Sequence, residues 1–226
     1  MAIPEPPAGF DTAVRAVLST IPYFGGAIEI VYTDVRDRRA EKAAELVAVV
    51  QQAVGEQTFL ERLSTDPRLE RVFVDAVESA VRTSIRAKRR VLAGAVVNAA
   101  RDSGQIDQSE LILDALASLE VQHVRALARL SDEWDAVVAV AARAPNSDRP
   151  SGWGTSAVWR ALPEPIRAAL VRTGTAKPSP TAYGATIEPR RNEGITDFGL
   201  DVVARLRVEG WDAEAVANGW NMKVGT

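Results

Sequence analysis

Between residues 185 and 206 the chain reads ATIEPRRNEGITDFGLDVVARL, and strand chemistry gives way within a few residues to an amphipathic helix. Thr186, Ile187 and Glu188 suit one short strand, and Glu193, Gly194 and Ile195 suit the returning one. The stretch 189–192, Pro-Arg-Arg-Asn, then becomes a turn whose tip carries Arg190 and Arg191. Thr196 is placed to cap the helix that follows, its hydroxyl accepting from an otherwise unpaired amide of the first turn. Leu200, Val203 and Leu206, with Val202 beside them, recur at helical spacing. A chain that must form a hairpin and then a capped helix in this order has few folds open to it.

Upstream, the pattern is helical almost throughout. A short helix is expected over 10–20, ended by the Ile21-Pro22 step, because a residue before proline is pushed out of the α region. A second helix is expected from near Tyr23 to Val54, stopped by Gly55. Phe59, Leu60 and Leu63 make a short apolar turn. One long helix is then expected from Pro67 to Arg101, and another over 109–130, with Ile112, Leu116, Leu119, His123, Leu127 and Leu130 on a single face. Further helices are expected over 132–144, 155–162 and 163–173, the last closed by Gly174. The segment 175–184 is expected to be an exposed connection into the hairpin.

The order helix, helix, helix, helix, hairpin, helix from 109 to 208, with the junction ITDFGLDVVARL, resembles a winged helix-turn-helix with one extra helix. The N-terminal part is similar to uncharacterised bacterial helical-bundle proteins, some of them defence-associated. That likeness rests on the I-P-x-x-G-G opening at Ile21 and on AVRTSIRAKRRVLA at 80–93. The fold class expected is therefore mainly α: an N-terminal helical bundle (1–108), a C-terminal winged-helix-like module with one small β-hairpin (109–210), and a tail (211–226).

What the resemblance implies is contact with DNA or with a protein. Candidate nucleic-acid-binding residues are Arg167, Arg172 and Lys177 on or beside the recognition-helix position, and Arg190 and Arg191 on the wing. The net charge of -3 argues against a general nucleic-acid coat while leaving room for a local basic patch. A second basic stripe, Arg82, Arg86, Arg89 and Arg90 with Lys88 among them, is read first as a solvated face partly paired with Glu78. Its alternative is a row of phosphate contacts. Trp211 and Trp220, in a tail with little other apolar content, are expected to dock on a protein partner or a sister subunit, which makes a homo-oligomer the expected state.

Other chemistry finds little support. One histidine and no cysteine argue against a transition-metal site, no phosphate-binding glycine motif occurs, and no cofactor is expected. His123 shares its face with leucines and is read as a packing residue. No nucleophile stands at readable spacing from a base, so a non-enzymatic regulatory or accessory protein is expected. The alternative is a membrane-acting or defence-type helical effector that uses the apolar segment from Phe10 to Tyr32. With no signal-peptide pattern and no apolar run of ~20 residues, a cytoplasmic location without a stable membrane span is expected.

Overall fold

A computed structural model describes residues 28–143, 156–178 and 194–220 of the chain. The chain divides into two compact units, residues 1–39 and residues 40–226. The described residues are mainly helical, with one two-stranded antiparallel ribbon. The helix expected over 10–20 lies outside them. Of residues 1–39, only 28–39 are described, as the first turns of helix α1 (Ile28–Val54). From Ala40 onward α1 buries Ala43, Leu46, Val47 and Val50.

Helix α2 (Glu56–Thr65) places Phe59 edge-on against Phe73, with ring centroids 5.3 Å apart. Asp66 then caps α3 (Pro67–Arg82), accepting from the amides of Arg68 and Leu69, with Pro67 in the first turn where its missing N–H costs nothing. The single helix expected from Pro67 to Arg101 is two: α3, and α4 (Arg86–Arg101). The break is chemical. The hydroxyl of buried Thr83 accepts from the amide of Ile85, 3.2 Å away, in place of a helical carbonyl. Both new ends then find charged partners. The Lys42 ammonium donates to the carbonyl of Thr83 at 2.9 Å, and the Glu214 carboxylate accepts from the amides of Arg86 (2.7 Å) and Ala87 (2.9 Å). A cation on the closing end and an anion on the opening end each complement the helix dipole.

α4 is the axis of the core. Its alanines 87, 93, 95, 99 and 100 are buried along with Val91, Leu92, Val96 and Val97, and small side chains let α3 and α5 (Ile106–Ser118) approach it closely. The helix expected over 109–130 is also divided. α5 ends at Ser118, and α6 (Val121–Arg143) begins after the extended residue Leu119. Leu119 turns fully into the core while its carbonyl accepts from the Lys88 ammonium at 2.9 Å. α6 in turn runs unbroken through 131–135, where the sequence pattern suggests a boundary between two helices. Glu133, within that stretch, caps another helix.

That helix is α7 (Ala157–Ala161). The Glu133 carboxylate accepts from the amides of Ala157 at 2.8 Å and Val158 at 3.2 Å and from the Ser156 hydroxyl, while Ser156 Oγ itself accepts from the amide of Trp159. Next come α8 (Glu164–Arg172), β1 (Ala176–Lys177), β2 (Gly194–Ile195), α9 (Asp197–Val208) and α10 (Trp211–Ala217). The ribbon pairs Ala176 with Ile195 and Lys177 with Gly194.

The returning strand stands where the sequence puts it. Its partner among the described residues is 176–177, while 186–188, the partner the sequence suggests, lie outside them. Thr175 and Ala176, expected in an exposed connection, are buried, because the pairing with β2 begins immediately after α8. The turn at 189–192 lies outside the described residues. The tail needs correction too. Trp211 is 2 % exposed, anchors α10 in the core and stacks on Trp220 with centroids 5.6 Å apart, so it offers no docking surface.

Candidate nucleic-acid interface

The region that would face nucleic acid is assembled by one compact junction. Gly174, at φ 70°, takes the left-handed conformation that ends α8, and the amide of Thr175 returns to the carbonyl of Leu170 at 3.1 Å. Thr196 ties α8 to α9. Its hydroxyl donates to the carbonyl of Gly174 at 2.7 Å and accepts from the amide of Gly199 at 3.0 Å, and its own amide donates to the carbonyl of Thr175 at 3.1 Å. Gly199 is where the two elements touch: a Cβ there would overlap the carbonyl oxygen of Thr175 and stand 2.9 Å from Cγ1 of Ile195. The Thr-x-x-Gly junction is thus a capping hydroxyl plus the absence of a side chain, and it fixes α8, the ribbon and α9 as one piece.

Residues 156–178 carry four cations (Arg160, Arg167, Arg172, Lys177) and one acid (Glu164), against an acidic chain overall, while α9 adds Asp197 and Asp201 alongside Arg205 and Arg207. Arg167, half-buried, bonds the exposed Glu164 at 2.6 Å one turn away. Arg172, in the last turn of α8, and Lys177, in β1, stand on either side of the Gly174 turn. Arg172 is exposed, Lys177 is half-buried, and neither forms an ion pair among the described residues. Arg160 of α7 is a further exposed cation that the sequence alone did not single out, because a lone arginine in a five-residue helix gives no periodic signal. The exposed face of α8 otherwise consists of Glu164, Pro165, Ala168 and Val171. Arg190 and Arg191 lie outside the described residues.

The second basic stripe is split between two helices and largely ion-paired within the chain, with Arg82, Arg86 and Arg90 exposed. Arg82 is on α3 and bonds Glu78 at 3.0 Å, as its i,i+4 spacing suggested. Arg86 and Arg89, on α4, both grip Glu45 of α1, at 3.1 and 2.9 Å. Burial raises the Glu45 carboxyl, but the bonds from Arg89 and Arg86 outweigh it and hold the group below its ordinary range. Arg90 is exposed without an ion pair among the described residues. Lys88 points into the core, where desolvation brings its ammonium down to about 8, partly opposed by Glu120.

His123 is not on a continuous apolar stripe, because α6 starts at Val121. It is half-buried in the first turn, and its Nδ1 accepts from the amide of Glu120 at 3.0 Å, the backward reach of a capping box. Burial lowers its pKa; Glu120 opposes the shift, and Arg172 and Lys88 reinforce it. Among the described residues no cluster of three His, Asp or Glu side chains could hold a metal ion. The chain matches no protein-family model, no curated protein and no solved structure.

Proposed function

We propose that residues 121–210 form a winged-helix module through which this protein, a non-enzymatic regulatory or accessory factor, binds DNA. The observation that carries the reading is the succession α8, β1, β2, α9 joined at Thr196 and Gly199, with Arg172 and Lys177 beside the Gly174 turn. In this reading α8 is the recognition helix and the segment between β1 and β2, which includes Arg190 and Arg191, is the wing. Pro165, Ala168 and Val171 offer bases no hydrogen bonds, so binding rests on phosphate contacts and shape more than on base readout.

The test is anisotropy of a labelled random duplex at low salt. Arg172→Ala with Lys177→Ala weakens binding by a similar factor on every sequence. If the double variant binds as the wild type does, the module does not use this face for DNA.

A protein partner is the second reading, favoured by the same apolar strip on α8, with Val171 39 % exposed. Under it, Ala168→Glu abolishes the partner complex while the chain shows no affinity for duplex DNA. The membrane-acting alternative rests on residues 10–32, most of which lie outside the described residues. Among the described residues no helix is long and apolar enough to cross a membrane.

A further inference from the structure

The C-terminal third of α6 lacks the polar outer face that a lone surface helix needs. Ala136, Val138, Ala139, Val140 and Ala142 are all exposed, Val138 by 45 % and Val140 by 51 %. A contiguous apolar helix surface of this kind marks an interaction site. Its layout is symmetric about one residue. Asp135, Ala139 and Arg143 succeed one another at steps of four and form the central row of the face. Ala136 and Val140 make the row on one side, and Val138 and Ala142 the row on the other. The charges sit at opposite ends: Asp135, with 68 % of its side chain exposed, four residues before Ala139, and Arg143, exposed and free of ion pairs among the described residues, four residues after.

We propose that this face binds a second copy of the same chain, the two α6 helices crossing antiparallel about a two-fold axis at Ala139. A two-fold contact must be self-complementary, and this face is. Ala139 meets its own copy, where two small side chains allow close approach. On one flank Val138 and Ala142 meet the same two residues of the partner, on the other Ala136 and Val140 do so, and each Asp135 lies opposite the partner's Arg143, ~6 Å along the helix from the crossing point. A parallel pairing would put like charges together, and an unrelated partner would require no such symmetry. Asp135 also stands 3.9 Å from Arg207 of its own chain, but Arg207 is bonded more closely by Asp132, so Asp135 remains available.

The test is sedimentation equilibrium of the full chain without DNA, which reads mass and is indifferent to whether the module binds DNA. The wild type is expected to show a concentration-dependent monomer–dimer equilibrium. Arg143→Asp and Asp135→Arg, each confirmed folded by circular dichroism, should each be monomeric, since each sets like charges together twice per dimer. Their equimolar mixture should dimerise again, because one copy of each variant restores both opposite-charge pairs. A wild type that stays monomeric throughout, single reversals that still dimerise, or a mixture that stays monomeric would each overturn the proposal. Arg143→Asp removes no described ion pair, so a folding failure of Asp135→Arg would leave that arm decisive.

Discussion

A methyl group at position 199 would overlap the carbonyl oxygen of Thr175, a clash that neither backbone can relieve without moving α9 off the ribbon. Gly199→Ala should therefore cost about 3 kcal/mol, at the upper end of overpacking effects; a change of a few tenths in urea denaturation would show that the junction is looser than described. Lys88 makes a pH prediction. Its folded-state value of about 8 lies below the ordinary 10.5, so between those limits the unfolded chain holds a proton that the folded chain has released. Stability from this group should then rise with pH across that window, and below it the burial penalty stands in full. Urea midpoints at about pH 7 and about pH 10 should show the wild type gaining relative to Lys88→Met; parallel responses would contradict it. At His123, replacement by leucine removes the acceptor for the Glu120 amide and should cost ~1 kcal/mol in the same denaturation, as the loss of a helix cap does.

The helices of this chain meet through their ends as much as through their faces. Lys42 serves the end of α3, Lys88 the carbonyl after α5, Glu214 the start of α4 and Glu133 the start of α7. Glu214→Ala should destabilise by about 1–2 kcal/mol, with Glu214→Gln recovering part of the loss as one acceptor without charge; equal stabilities of alanine variant and wild type would remove the cap from the account. These partnerships explain what is legible in the sequence. Local signals are: Gly55, Gly174, the Thr196 cap and the Glu78–Arg82 spacing follow from residues a few positions apart. The breaks at Thr83 and Leu119 are not, because apolar periodicity continues across them and the groups that stabilise them come from distant segments. The stripe Arg82 to Arg90 is continuous only on an unbroken helix. Of the candidate interface, Arg172 and Lys177 are legible and stand exposed or half-exposed, Arg167 is half-buried and pairs with Glu164, and Trp211 belongs to the core.

At the scale of the whole molecule, an acidic chain carries one locally basic piece at residues 156–178, and α6 runs from its capped start at Glu120 to the exposed apolar face around Ala139. Two copies joined there would present two such pieces related by a two-fold axis, a geometry that matches a two-fold symmetric DNA site. The central claim, binding to the DNA backbone, is tested most directly by the salt dependence of affinity for a random duplex. The account predicts a straight fall of log affinity against log salt concentration, with the slope reduced by about 0.9 for each phosphate that Arg172→Ala or Lys177→Ala leaves without its cation. A wild-type affinity insensitive to salt, or slopes unchanged in both variants, would contradict it.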